Sequence, residues 1–130
     1  MAGRVLRYNA GEKIIEAGKV EQRMYIILEG SVGITLSDGK NTIRVATLVR
    51  GDFFGEISLF NSSPRSATAT ALGEVKVAYL DNLHDLKAFL VKNPSFAAKM
   101  VHILAQRLAK TDEILIGKIS ELSRVQLMDR

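Results

Sequence analysis

The sequence predicts a mainly β protein with added α: an antiparallel β-roll, jelly-roll-like, followed by C-terminal helices. Three observations predict it. From Arg4 to about Asp81 the chain reads as short alternating apolar runs punctuated by glycines. After Asp81 the apolar spacing changes to three and four, the period of a helix. Within the first region lies one stretch, Gly51 to Thr68, that is too rich in glycine and polar residues for a strand pair alone. The expected layout is one domain over 1–130, with the β-roll at about 4–81 and the helices at about 82–128.

The elements follow in order. Met24 to Leu28 is a β-rich apolar run, broken by Glu29-Gly30, and Ser31 to Leu36 resumes with alternation at Val32, Ile34 and Leu36. Ser37-Asp38-Gly39-Lys40 is a hairpin signal, because Asp-Gly suits the positive φ angles of a type I′ turn. Thr42 to Val49 pairs back, with Ile43, Val45 and Thr47 alternating with polar or small neighbours. Thr68 to Leu72 and Val75 to Leu80 supply two more strands around Gly73-Glu74. Asn82 is placed to cap a helix carrying Leu83, Leu86 and Leu90, and Asn93-Pro94 ends it. A long helix then starts at about Pro94, with Met100, Leu104, Leu108, Leu115, Leu122 and Val125 on a heptad-like seam. Thr111 and Lys118 interrupt that seam.

Composition narrows the function. The 47% hydrophobic and 25% charged content over 130 residues suits one ordinary globular core. There is no cysteine, which excludes disulfides and thiolate metal sites and favours a reducing compartment, so the expected location is the cytoplasm. No run approaches the roughly 18 apolar residues that span a bilayer, so no membrane segment is expected. The first residues also lack the apolar stretch of a signal peptide. The net charge of +4 is compatible with phosphate partners and with a basic solvated surface. The two histidines, His84 and His102, fall in expected helices rather than in a cluster, so no metal site is expected. No nucleophile–base pair or triphosphate loop occurs either, which argues against an enzyme.

The chemistry concentrates between Gly51 and Thr68. Ile57 to Phe60 can make one helical turn, and Gly55 lets the backbone approach something closely. Amides at the start of such a turn have no partners inside it and point at an anion. Arg65 can fold back over that spot with a planar fork matched to two phosphate oxygens, while Ser66 adds a hydroxyl and Ala67 an amide. Glu56 is acceptor-only when ionised, so beside a phosphate it needs a donor such as a sugar hydroxyl. Either charge alone would read as a surface ion pair or a charge at a helix start. Their combination at this spacing is what points to a site.

Phe54-Gly55-Glu56-Ile57-Ser58-Leu59, followed by Pro64-Arg65-Ser66-Ala67-Thr68, resembles the phosphate-binding cassette of the cyclic nucleotide-binding domain family. That family includes the catabolite activator protein, protein kinase A regulatory subunits and cyclic-nucleotide-gated channels. The resemblance implies that Arg65 binds the cyclic phosphate and Glu56 the ribose 2′-hydroxyl. It implies that backbone amides around Gly55, Ile57, Ser58 and Ala67 complete the pocket. Ser66 matches the serine of the catabolite activator protein, where many cGMP-binding members carry threonine.

The long helix is similar to the dimerisation helix of that protein at Asn93-Pro94, Arg107-Leu108 and Thr111-Asp112-Glu113. The resemblance makes Thr111 a base contact, whereas Asp112 departs from the serine of the pattern and suits the two adjacent donors of guanine. The implied ligand is cAMP, with cGMP as the alternative. The implied partners are a second copy of the chain through the C-terminal helix and an effector protein or fused output domain. The sequence ends at Arg130 with no DNA-binding module after the helix. The sensor portion of a catabolite-activator-like transcription regulator is therefore the other reading.

Overall fold

The computed structural model describes residues 4–61 and 64–128, with positions 111, 114, 115, 118 and 121–128 described by backbone alone. Among the described residues, eight strands form two antiparallel sheets. β1 (Val5–Tyr8), β8 (Val75–Leu80), β3 (Met24–Glu29) and β6 (Phe53–Phe54) make one, in that order. β2 (Lys13–Ile15), β7 (Thr68–Ala71), β4 (Ser31–Ser37) and β5 (Thr42–Val49) make the other. Two helices follow, α1 (Leu83–Lys92) and α2 (Pro94–Met128). This is the antiparallel β-roll with C-terminal helices that the sequence predicts.

The core lies between the sheets. Tyr25, Ile27, Phe54, Val75 and Val77 from one face Ile14, Ile15, Val32, Ala69 and Ala71 from the other, all buried. Tyr25 and Phe54 stack with their ring centroids 5.2 Å apart, an offset aromatic pair that adds to the apolar burial. Because every second strand residue points inward, Val32 and Ile34 of β4 reach this core while Leu36, near the hairpin tip, is exposed.

Two expectations need correction. The β4–β5 connection is not a two-residue type I′ turn. The strands close at Ser37↔Thr42 and leave four residues between them, and among the described residues positive φ occurs only at glycines. Asp38 instead nucleates the turn through its carboxylate, which accepts the amides of Lys40 at 2.9 Å and Asn41 at 2.8 Å. Those two amides hold the Asp38 carboxyl below its ordinary pKa. In β5, Ile43, Val45 and Val49 are exposed, and the residues turned toward the core are Ala46 and Leu48, opposite Ile34 and Val32. The register shift between Ile34 and Thr35 breaks the simple alternation, and β5 is an edge strand with little to bury against.

The chain divides into two compact units, the first reaching Phe89 and the second beginning at Leu90. In the first, Asn82 caps α1 as expected, its side-chain oxygen accepting the Asp85 amide at 2.8 Å. Arg4, just before β1, donates to Asp81 and also pairs with Asp85, each at 2.7 Å. In the second, α2 runs without a break from Pro94, and His102 is exposed on it, as His84 is on α1. No described helix is long and apolar enough to cross a membrane.

Candidate functional site

The glycine-punctuated stretch becomes a tight corner. β6 ends at Phe54, Gly55 takes φ +81°, and a 3-10 turn runs over Glu56–Leu59. The turn is amphipathic over a very short span: Glu56, Ser58 and Leu59 are buried while Ile57 and Phe60 are exposed. A carboxylate only 7% exposed is costly unless hydrogen-bonded or paired with positive charge. The Arg65 guanidinium lies close enough to feel the field of Glu56.

Arg65 is held at both ends. Its amide donates to the Lys19 carbonyl at 2.8 Å, and its carbonyl accepts the Gly18 amide at 2.7 Å, so the loop between β2 and β3 clamps its backbone. Its side chain reaches under the corner. Nη1 donates to the Gly55 carbonyl at 3.1 Å and Nη2 to the Arg23 carbonyl at 2.7 Å. Nε is buried and has no hydrogen-bond partner among the described residues. Burial pushes the guanidinium down from its ordinary pKa, while Glu21, Tyr25 and Glu56 push it up, and a guanidinium stays charged in proteins. A buried, charged donor without a partner is a feature an anion completes.

Gly55 is required by geometry as well as by φ. A Cβ there would sit 2.7 Å from the Arg23 carbonyl oxygen, 2.9 Å from Arg65 Nη1 and 3.3 Å from Ile15 Cδ1. The absence of a side chain is therefore what lets the guanidinium pass beneath the corner. Ser58 closes the arrangement from the other side. Its hydroxyl accepts the Arg23 amide at 3.1 Å and lies within donating distance of the Arg23 and Gly55 carbonyls, at 3.0 and 2.8 Å. Its amide turns inward to the Gly55 carbonyl at 3.2 Å.

Around this corner the charges are layered. The Tyr25 hydroxyl donates to Glu21, and burial first, then Glu21, raises the Tyr25 pKa well above its ordinary value. Glu21 also lies 3.9 Å from Arg23, whose guanidinium sits over the Tyr79 ring at 4.4 Å.

Of the residues singled out in the sequence, Gly55, Glu56, Ile57, Ser58 and Arg65 come together at this corner, with the backbone of Ser66 and Ala67 leading from Arg65 into β7. Ser66 is exposed and Ala67 half-buried. Thr111 and Asp112 lie on α2 in the second unit; Asp112 is exposed, and the Thr111 side chain falls outside the described residues. Sequence reasoning missed Arg23, which offers its carbonyl, and Gly18-Lys19, which clamp the backbone of Arg65. Neither carries a side-chain signature, since both act through main-chain atoms. Among the described residues no group of three His, Cys, Asp or Glu side chains is placed to hold a metal. A separate recess of about 170 Å³, lined by Arg7, Glu29, Glu74 and Lys76 among others, holds none of these residues, and its charges are mixed.

The chain is similar to known proteins. The family model described as cyclic nucleotide-binding domain matches residues 5–93, which takes in the whole corner but not Thr111 or Asp112. A CRP-like cAMP-activated global transcriptional regulator of Mycobacterium tuberculosis is 30% identical over 111 residues, which cover 84% of this chain and 49% of the regulator. The crystal structure of the Thermus thermophilus catabolite activator protein superposes with a TM-score of 0.72 at 29% identity, covering 85% of this chain and 52% of that one. The regulatory domain of Toxoplasma gondii PKA, co-crystallised with cAMP, superposes with a TM-score of 0.57 at 38% identity, covering 60% of this chain and 31% of that one. The chain thus spans about half the length of the mycobacterial regulator.

Proposed function

The chain belongs to the cyclic nucleotide-binding domain family, and we propose from that premise that it is a regulatory sensor domain whose ligand is cAMP. One observation carries the reading: a half-buried guanidinium with a buried, unpartnered Nε and a buried carboxylate flank the same glycine corner. Arg65 supplies the charged donor to the cyclic phosphate, assisted by the Ser66 hydroxyl and by amides around Gly55, Ile57 and Ala67, whereas the Ser58 amide is taken by the Gly55 carbonyl. Glu56, acceptor-only when ionised, takes the ribose 2′-hydroxyl. The pair recognises both parts of one small ligand, and neither charge is left uncompensated. The work of such a site is binding, not catalysis.

The same reading extends to α2. Ligand contacts favour one arrangement of the C-terminal helix, with Thr111 meeting the base, and an effector protein or fused output domain senses the change. A second copy of the chain pairs along the seam. Leu104 and Leu108 are exposed there, Leu108 at 65%, whereas Met100 is buried and contributes nothing to such a face. Leu115, Leu122 and Val125, also on the seam, lie outside the described side chains. Asp112, exposed on the same helix, supports the second reading, a cGMP ligand, because a carboxylate can accept from both adjacent donors of guanine. The related regulator activated by cAMP and the related domain crystallised with cAMP favour the first. Calorimetric titration with cAMP, cGMP and 5′-AMP separates them. Tightest binding of cAMP is expected, a cGMP preference abolished by Asp112→Ser establishes the alternative, and no binding of either cyclic nucleotide refutes both.

A further inference from the structure

Two carboxylates act on Arg65, and the ligand reading employs only Glu56. The other, Glu21, belongs to the loop between β2 and β3. Two contacts fix it there. The Tyr25 hydroxyl donates to Glu21 Oε1, and Arg23 Nε lies 3.9 Å from the same oxygen. Both anchors are themselves tied to the corner. Tyr25 is buried and stacks on Phe54, the residue before Gly55. Arg23 donates its amide to the Ser58 hydroxyl, offers its carbonyl to Arg65 Nη2, and rests its guanidinium on the Tyr79 ring. One residue, Arg23, thus meets Glu21 with its side chain and Arg65 with its backbone. Among the described residues Glu21 makes no ion pair with Arg65 itself, so it acts on that guanidinium through space. Burial lowers the Arg65 pKa, and among the groups that oppose this Glu21 stands first, ahead of Tyr25 and Glu56.

We propose that Glu21 is the resident counter-charge of Arg65 and limits how tightly the corner holds an anionic nucleotide. In the empty site, a half-buried guanidinium has given up part of its hydration, and a fixed carboxylate nearby offsets that loss. When a phosphate arrives, the same carboxylate repels it. Glu56 differs, because in the functional reading it receives a ribose hydroxyl, whereas Glu21 is already engaged with Tyr25. The inference rests on the reading of the corner as a cyclic nucleotide site and adds to it a residue that sets affinity by charge rather than by contact. A sensor gains from this, since a ligand held too tightly does not leave when its concentration falls. The Glu21 side chain is 34% exposed, so solvent screens the effect and keeps it modest.

The test is calorimetric titration of the full chain with cAMP at low ionic strength. Glu21→Gln keeps an acceptor for the Tyr25 hydroxyl and removes only the charge, so it should tighten cAMP roughly two- to fivefold. Glu21→Lys, with the charge reversed, should tighten it further. The advantage of both variants over wild type should narrow as salt rises from about 20 mM to about 500 mM. A residue that merely supports the loop has the opposite signature, since its loss loosens binding at every salt concentration. Equal or weaker binding by Glu21→Gln at low salt overturns the proposal, as does a gain that salt leaves untouched. A second measurement needs no ligand. In urea unfolding of the ligand-free chain, Glu21→Gln should cost more stability with Arg65 present than in an Arg65→Ala background, where no guanidinium is left to offset. Additive losses overturn the counter-charge role, and if Arg65→Ala fails to fold the affinity series decides alone. Failure of the wild type to bind cAMP contradicts the functional reading, and the unfolding cycle still decides whether Glu21 serves Arg65.

Discussion

Replacing Gly55 with alanine perturbs the corner in two separable ways. The first is conformational. At φ +81° an L-residue is strained, which costs about 1–2 kcal/mol. The second is steric: the new methyl group would lie 2.7 Å from the Arg23 carbonyl oxygen and 2.9 Å from Arg65 Nη1. The first of these is backbone and cannot step aside, so the turn, the guanidinium or both must move, a further ~1–3 kcal/mol on the scale of overpacked interiors. The sum is about 2–5 kcal/mol, a large share of the stability of a small domain. Two other glycines calibrate it. Gly11, at φ +86°, has nothing within 4 Å of its would-be Cβ, and Gly73 has neither a positive φ nor a neighbour. Urea unfolding should therefore rank the alanine variants Gly73 near wild type, Gly11 lower, and Gly55 lowest. For Gly55→Ala the midpoint should fall by at least about 1 M, given a slope of roughly 2 kcal/mol per M. The displaced guanidinium should also weaken cAMP binding more than tenfold. A Gly55→Ala protein no less stable than Gly11→Ala would refute the close-approach argument, leaving only the dihedral.

Three further expectations test other parts of the account. If Glu56 accepts the ribose hydroxyl, 2′-deoxy-cAMP should bind at least tenfold more weakly than cAMP, because a buried carboxylate loses its donor; equal affinities in a competition assay would contradict this. Asp81 is held below its ordinary pKa, first by the hydrogen bond from Arg4. That stabilisation is therefore complete above the usual carboxylate range and is lost as pH falls through the lowered value. The stability gap between wild type and Asp81→Asn should accordingly shrink between about pH 6 and pH 3, and a constant gap in urea unfolding would refute the linkage. Leu122→Asp should convert a self-associated chain to a folded monomer, read by equilibrium sedimentation, since a charge on an apolar seam opposes pairing. A wild-type monomer under the same conditions would remove the seam from the account.

Much of the fold was legible because the apolar period is local information. The bounds of β5 and β8 follow the alternation residue for residue, and Asn82 and Pro94 mark helix starts by their own chemistry. The β4–β5 turn was misread because Asp38 has two ways to make a turn, by adopting positive φ or by accepting amides with its carboxylate, and it uses the second. The faces of β5 were misread because an edge strand beside a register shift has no second sheet to fix which side is wet. At the site, Glu56 and Arg65 stood out as charges in an unusual setting, and Gly55 as the one residue that tolerates the corner. Arg23 and Lys19 could not be found that way. They meet Arg65 through carbonyls 42 and 46 positions away along the chain, counting 65 − 23 and 65 − 19, and a carbonyl is common to every residue type. The double duty of Arg65, staple of the corner and donor to a ligand, is likewise a property of the assembled loops.

The central claim is that Arg65 is the charged donor to the ligand's phosphate, and calorimetric titration of wild type and Arg65→Ala with cAMP tests it most directly. A charge-assisted hydrogen bond contributes roughly 1.5–3 kcal/mol, so affinity should drop at least about tenfold in a variant whose folding is verified by its unfolding curve. Arg65→Lys should recover only part of the loss, because an ammonium lacks the planar fork. Equal affinity of folded Arg65→Ala and wild type for cAMP would contradict the account.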